Sequence, residues 1–167
     1  HRGPDEGDLW QDPETPIVLG HRRLSIIDLS SAGRQPMRSA SERYIIVFNG
    51  EIYNFRQLRS ELERLGAFFR GYSDTEIILA AIEEWGLDYT LKSIRGMFAF
   101  ALWDRQEKRL HFARDRMGKK PLYIGWAGAA LVFGSELKAL SAHPDFRKTI
   151  DRPALTAYMR FGYVPSP

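Results

Sequence analysis

The sequence predicts an α+β fold, or a layered sandwich, from three observations. Short apolar runs come first, two helical segments follow, and a meander of apolar runs with further helix closes the chain. Such segregated runs favour antiparallel sheets packed with helices, whereas a parallel sheet needs strands and helices in alternation. The 167 residues are 44% hydrophobic and 13% aromatic, which is sufficient for one domain with its own core.

The first part of the chain predicts loops and short strands. Residues 1–16 are polar and rich in Gly and Pro, with a short strand at 9–10. Apolar or alternating runs at 17–19 and 21–29 predict two further strands. A loop is expected over residues 30–37.

Residues 44–48, YIIVF, predict a buried strand because all five are apolar and three are β-branched. Asn49 and Gly50 follow, and two interpretations are open. They could form a hairpin turn, since both residues tolerate positive φ. Alternatively, a carboxamide beside a glycine N–H could bind a developing oxyanion. The residues after Gly50 do not alternate like a returning strand, which counts against the hairpin.

Two helices are predicted after this strand. Four apolar residues, three and four positions apart, share one face of the first helix: Phe55, Leu58, Leu62 and Leu65. Asn54 can cap its start. Ser73 and Glu76 have the spacing of a capping box ahead of a second helix over 75–85. Asp74 then has a structural interpretation, as an acid that suits the positive end of the helix dipole.

The remainder predicts a strand meander followed by helix. Four runs predict strands: 97–103, 109–113, 121–126 and 130–133. A short helix is expected over 135–140. Asp151 can cap a last helix, in which Leu155, Tyr158 and Met159 are predicted to face inward.

Composition excludes several classes of protein. The 24 basic and 21 acidic residues are interspersed and give a net charge of only +3, so no nucleic-acid partner is predicted. No run has the length of a membrane span and no signal peptide opens the sequence, so no membrane partner is predicted. The four histidines lack the spacing of metal ligands, so no metal site is predicted. Cysteine is absent, which excludes disulfides and thiol nucleophiles within these residues and suits a cytoplasmic protein.

Several polar residues lie at predicted strand ends and helix starts, and their chemistry is complementary. The members of this set are Arg23, Asn49, Gly50, Glu51 and Asp74. An arginine suits an α-carboxylate, an aspartate suits an α-ammonium group, and Asn-Gly suits a carbonyl that becomes tetrahedral. Together they would form a site for an amino acid with a reactive carbonyl. The sequence alone does not show that they meet in space.

Eight motifs in order carry a resemblance to a known family. They are HRGPD at 1–5, LGHRRLSIIDLS at 19–30, QPM at 35–37, NGEIYN at 49–54, SDTE at 73–76, GMFAFALWD at 96–104, RDRMGKKPLY at 114–123 and SELKAL at 135–140. The chain resembles the glutaminase domain of glutamine-hydrolysing asparagine synthetases. These are class II amidotransferases with the N-terminal-nucleophile hydrolase fold. The resemblance covers essentially all 167 residues.

The resemblance implies a four-layer αββα sandwich, with its first strand missing, and a glutamine site. The glutamine-binding residues that it implies are Arg23, Leu24, Ser25, Ile26, Ile27, Asn49, Gly50, Glu51 and Asp74. Among them, Arg23 would hold the α-carboxylate, and the backbone of the next four residues would line the pocket. Asn49 and Gly50 would form the oxyanion hole. Glu51 and Asp74 would bind the amino end of the substrate.

One departure from the family is plain. The family's nucleophile is a cysteine at the mature N-terminus, whose α-amine serves as base, and this sequence has neither that cysteine nor the ATP-binding domain. We therefore expect a chain cut at both ends. Residues 1–145 would be a partial class II amidotransferase domain, and 146–167 a helix and linker-like tail that leads toward absent sequence. The chain alone is expected to be inactive.

The resemblance also implies partners and a reaction. L-Glutamine is the expected ligand, and the C-terminal synthetase domain of the same parent chain is the expected partner, with a homodimer as a further possibility. No cofactor is expected here, since ATP and Mg²⁺ belong to the synthetase domain. Glutamine-derived ammonia would amidate aspartate or a related carboxylate. The alternative is a non-catalytic glutamine-binding or scaffold domain of the same fold.

Overall fold

The computed structural model describes residues 3–24 and 31–165. In these ranges the strands are β1 (Glu6–Gln11), β2 (Val18–Arg23), β3 (Met37–Arg38), β4 (Tyr44–Ile52), β5 (Gly96–Asp104), β6 (Arg109–Arg114), β7 (Tyr123–Ala127) and β8 (Ala130–Gly134). The α-helices are α1 (Phe55–Arg64), α2 (Asp74–Trp85), α3 (Leu87–Ser93), α4 (Leu137–Leu140) and α5 (Arg152–Phe161). The chain divides into two units between Leu122 and Tyr123. The predicted boundary after residue 145 stays a prediction.

The first unit is built on an antiparallel sheet in the order β3-β4-β5-β6. Strands β4 and β5 pair along their whole length, from Tyr44 opposite Asp104 to Ile52 opposite Gly96. Because side chains alternate along a strand, Ile46, Phe48 and Ile52 lie on one face of β4. That face packs in a single apolar cluster with Leu58 and Leu62 of α1 and with Ile77, Ile78 and Ile82 of α2.

The β1–β2 hairpin contacts the opposite face of this sheet. Leu19 of β2 is fully buried. The indole Nε1 of Trp103 in β5 donates to Asp12, just after β1, at 3.0 Å. His21 of β2 reaches the carbonyl oxygen of Phe48 in β4 at 3.1 Å. The central sheet thus lies between helices on one side and a hairpin on the other, and the predicted α+β class with antiparallel sheets is confirmed.

The hairpin interpretation of Asn49-Gly50 is wrong. Strand β4 does not end at Phe48 but continues through both residues to Ile52, and each of them pairs with a residue of β5. Gly50 does not adopt a positive φ. The local turn preference of Asn-Gly is overridden by pairing with a long neighbouring strand.

The helix caps differ in detail from the predicted ones. Ser73 caps α2 by accepting the Thr75 N–H at 3.2 Å, but Glu76 does not complete a capping box. Its carboxylate instead accepts the backbone N–H groups of Arg70 and Gly71 at 2.9 and 3.0 Å. Asn54 makes no side-chain cap for α1.

The side chain of Asn54 serves a different purpose. It accepts the Arg95 N–H at 2.8 Å and donates to the Ser93 carbonyl oxygen at 3.0 Å. It therefore connects the start of α1 to the end of α3 and to the segment that leads into β5. Helix α3 itself, at Leu87–Ser93, was not predicted.

The second unit contains the β7–β8 hairpin, α4 and α5. Ala127 and Leu140 are buried in it. The prediction that Leu155, Tyr158 and Met159 face inward is wrong, since their exposures are 46%, 54% and 78%. An amphipathic pattern indicates which face of a helix is apolar, but it does not show that another part of the chain packs against that face. No helix within the described ranges is both long enough and apolar enough to cross a membrane.

Candidate functional site

Within the described ranges, the edge of β4 beside β3 has one open backbone position, at Gly50. The N–H and C=O groups of a strand residue point to the same side, and this side alternates along the strand. Phe98, which lies opposite Gly50, accepts the Asp115 N–H at 2.8 Å and so directs its polar groups toward β6. Gly50 therefore directs its own N–H and C=O away from β5. Strand β3 begins only opposite Ile46 and therefore does not extend along β4 as far as Gly50.

The neighbouring positions on the same edge are occupied by side chains. The Phe48 N–H donates to Oε1 of Gln35 at 2.6 Å. The Ile52 N–H donates to Oδ2 of Asp74 at 2.9 Å. For the Gly50 N–H between them, no acceptor is found among the residues that the structure describes. This position can therefore donate to a ligand.

Gly50 is also the residue type that this position requires. A Cβ atom here would overlap the carbonyl oxygen of Met97 and lie 2.7 Å from Cα of Phe98, both in the backbone of β5. Asn49 precedes Gly50 in β4. Because side chains alternate along a strand, the Asn49 side chain lies on the face of the sheet toward β1 and β2, opposite to the helices. Both residues are partly exposed.

Two carboxylates lie close to this position. Asp74 at the start of α2 is only 6% exposed. Burial raises its pKa above the ordinary 3.8; N–H groups of Ile52 and Thr75 oppose that effect, and the charge of Glu51 adds to it. The net shift is upward. An ammonium group placed here would relieve the repulsion and favour the ionised form of Asp74.

Arg23 lies at the end of β2 and is 8% exposed. Its NH1 group donates to the Glu6 carboxylate at 3.2 Å across the β1–β2 pair. Arg34 also forms an ion pair with Glu6. A substrate carboxylate at Arg23 would therefore meet a guanidinium that Glu6 orients and partly neutralises.

The structure places the predicted site residues on three neighbouring elements. Asn49, Gly50 and Glu51 are consecutive on β4, and Asp74 is joined to that strand through the Ile52 N–H. Arg23 is two residues beyond His21, which touches Phe48. Leu24 is described and is 59% exposed. The predicted pocket residues Ser25, Ile26 and Ile27 lie outside the described residues.

Three polar residues of this region were not singled out as site residues: Glu6, His21 and Gln35. Gln35 belongs to the QPM motif, but its side chain contacts Phe48, 13 positions away, so no local pattern indicates this contact. In the described ranges, no group of three His, Asp or Glu residues is placed to hold a metal ion.

Comparisons with known proteins agree on one family. The family model described as "Glutamine amidotransferase domain" matches residues 1–167. Two glutamine-hydrolyzing asparagine synthetases of Bacillus subtilis are similar to the whole chain. Number 3 is 42% identical over 167 residues, which is 99% of this chain, and number 1 is 44% identical over 168 residues, which is 100% of this chain. The chain spans 26% of the length of each.

Two more distant relatives extend the comparison. Amidase chry2 of Gibberella zeae is 39% identical over 85% of this chain and 21% of its own length. Among solved structures, the glutamine phosphoribosylpyrophosphate amidotransferase of B. subtilis, in complex with ADP and GMP, superposes with a TM-score of 0.65. It is 30% identical over 74% of this chain and 28% of its own. This likeness confirms the predicted N-terminal-nucleophile hydrolase type of fold.

Proposed function

This chain belongs to the glutamine amidotransferase domain family, and on that premise we propose that it binds L-glutamine at the open edge of β4. The chain would be part of a longer protein, the parent protein. In the parent protein, this domain hydrolyses the glutamine amide and supplies ammonia to an ATP- and Mg²⁺-dependent synthetase domain. That domain amidates aspartate or a related carboxylate. The two asparagine synthetases of B. subtilis support this proposal, and this chain spans about a quarter of the length of each.

The observation that carries the proposal is the Gly50 N–H, which has no acceptor among the described residues and lies beside two carboxylates. The N–H provides a donor for an oxyanion, and the Asn49 carboxamide on the preceding residue can provide a second. Asp74 and Glu51 provide negative charge for an α-ammonium group. Arg23 would hold the α-carboxylate, together with the backbone of Leu24 and of residues 25–27.

The proposed reaction converts glutamine and water into glutamate and ammonia. A thiolate attacks the side-chain amide carbon, and the carbonyl electrons move to oxygen, where Asn49 and Gly50 stabilise the charge. The C–N bond then breaks, and the nitrogen leaves as ammonia with a proton from the base. Water cleaves the resulting thioester. The thiol must come from outside these 167 residues, which contain no cysteine.

We expect these 167 residues alone to release no ammonia from glutamine, because a thiol nucleophile is absent. Incubation with millimolar glutamine and an enzymatic ammonia assay would check this. Release clearly above a buffer blank, which also disappears in the Asn49→Ala variant, would show that another group in the chain acts as nucleophile.

Asp74→Asn in the parent protein should raise KM for glutamine about tenfold or more, because a charge-assisted contact to the ammonium group is lost. Steady-state kinetics would measure it, with ammonia-dependent synthesis as the internal reference. Asp88→Asn is the matched control, since Asp88 is an exposed acid in the first turn of α3. An equal loss with ammonia and glutamine would show that Asp74 is only structural.

The same substitution should not cost stability through its charge. The pKa of Asp74 is raised on folding, so its ionisation reduces the free energy of unfolding as the pH rises above 3.8. Asparagine can still accept the Ile52 N–H without that charge. The melting temperature of Asp74→Asn at neutral pH should therefore equal or exceed that of the wild type.

The alternative is a non-catalytic glutamine-binding or scaffold domain of the same fold. A glutaminase assay of the parent protein distinguishes the two. Glutamine binding without ammonia release would support the alternative.

A further inference from the structure

The side chain of Gln35 takes the place of a missing strand beside Phe48. In the β3–β4 register, Met37 lies opposite Ile46. Extension of this register by two residues places Gln35 opposite Phe48, although β3 has not yet begun there. The Gln35 carboxamide accepts the Phe48 N–H at 2.6 Å and donates to the Phe48 carbonyl oxygen at 3.1 Å. It therefore makes both bonds that a neighbouring strand would make.

His21 holds the same carbonyl oxygen from the hairpin side, at 3.1 Å from Nε2. Because a carbonyl oxygen can only accept, Nε2 carries the proton. Burial lowers the pKa of His21, the bond to Phe48 opposes this effect, and the Arg23 charge adds to the lowering. A neutral ring therefore suffices for this contact.

The bonded carbonyl belongs to the peptide group that joins Phe48 to Asn49. The N–H of the same group faces β5, where Asn49 lies opposite Ala99. One peptide plane is therefore fixed from both edges, immediately before Asn49 and one residue before the open N–H of Gly50. The same Gln35 Nε2 lies 3.4 Å from Oγ1 of Thr75, the residue after Asp74.

We infer that Gln35 is a positioning residue for glutamine hydrolysis, which aligns Asn49 and Gly50 through the Phe48 peptide, with His21 as its partner. This inference rests on the proposed function. An oxyanion hole stabilises charge only if its donors are already aligned with the oxygen that develops it. A carboxamide is required because it provides one donor and one acceptor in a single plane. An ionised glutamate provides only acceptors. Methionine provides no donor and only a weak acceptor, its thioether sulfur.

The test uses the parent protein with Gln35→Met, which preserves length and flexibility but removes the amide. We expect kcat for glutamine hydrolysis to fall about 10- to 100-fold, as for small misplacements of reacting groups. KM for glutamine should change little, because the substrate's ammonium and carboxylate contacts are intact. Ammonia-dependent synthesis should keep its rate. Gln57→Met is the matched control, since Gln57 is exposed on α1 and bonds only to Glu61 in the described structure.

A double-mutant cycle with Asn49→Ala separates positioning from general stability. If Gln35 acts through the oxyanion donors, Gln35→Met should cost less in the Asn49→Ala background than in the wild type. If the two losses multiply, or if KM alone rises, the inference is wrong. If Gln35→Met does not fold, Gln35→Glu takes its place, because it keeps the acceptor for the Phe48 N–H and lacks only the donor.

The outcomes also distinguish this inference from the proposed function. A wild-type parent protein without glutaminase activity would contradict the proposed function itself. An active wild type, in which Gln35→Met and Gln35→Glu both keep full kcat, would contradict only the role of Gln35.

Discussion

Replacement of Asn49 by alanine is expected to lower glutamine hydrolysis by the parent protein about 10²- to 10³-fold. The carboxamide is one of two proposed donors to the oxyanion, and removal of one such donor typically costs on the order of 3 kcal/mol of transition-state stabilisation. KM for glutamine should change far less than kcat, because Asn49 makes its contact chiefly in the transition state. Initial rates of ammonia release at saturating glutamine would measure the effect.

Ammonia-dependent synthesis is the internal control for Asn49→Ala, since it bypasses the glutamine site. Asn54→Ala is the matched contrast five residues further along the chain. Its side chain bonds to Ser93 and Arg95 and has no place in the proposed chemistry. It should lower the melting temperature with little change in kcat. If Asn49→Ala lost ammonia-dependent synthesis in equal measure, a structural role for Asn49 would explain the result.

Gly50→Ala should strongly destabilise the domain. The new methyl group would overlap the Met97 carbonyl oxygen and approach Cα of Phe98, so the backbone of β5 must move. Overpacking usually costs about 1–3 kcal/mol, and the upper end applies here because no flexible side chain can yield. A loss of about 3 kcal/mol corresponds to a fall in melting temperature of roughly 6–12 °C for a domain of this size.

Gly20→Ala is the control for Gly50→Ala. Gly20 also lies in a strand, but an added methyl would come too close only to the end of the Leu9 side chain, which is 74% exposed and can move aside; the Asp8 carbonyl oxygen, at 4.0 Å, would be in ordinary contact. Thermal unfolding followed by circular dichroism would compare the two variants. Equal melting temperatures for Gly50→Ala and the wild type would mean that β4 and β5 separate more easily than their pairing indicates.

The sequence predicted elements whose signals are local. The apolar runs of β4 and β5 and the spaced leucines of α1 could be recognised because burial imposes a period on neighbouring residues. The end of β4 was misplaced because Asn49-Gly50 favours a turn locally, whereas pairing with β5 extends the strand. The exposure of α5 could not be predicted either. Its apolar residues recur with a helical period, but this period does not indicate which surface, if any, packs against them.

The site could be predicted only in part, for the same reason. The side chains of Asn49 and Asp74 suit an oxyanion and an ammonium group, and the family resemblance implies these roles. The bond from Ile52 to Asp74 joins positions 22 residues apart, and the contact from His21 to Phe48 joins positions 27 apart. Neither contact leaves a pattern in the intervening residues. For that reason the support around Phe48 could be recognised only in three dimensions.

The way in which the edge of β4 is filled has a consequence for association between chains. An uncovered strand edge is a template on which another polypeptide can add a strand, and such addition leads to aggregation. On β4, strand β3 covers Ile46, the Gln35 carboxamide covers Phe48, and the Asp74 carboxylate covers Ile52. Among the residues that the structure describes, the remaining gap on this edge is one residue wide, at Gly50. An incoming strand would need several consecutive backbone positions, whereas a single carbonyl oxygen needs only one, so the filling of this edge opposes strand addition and is compatible with the proposed small ligand.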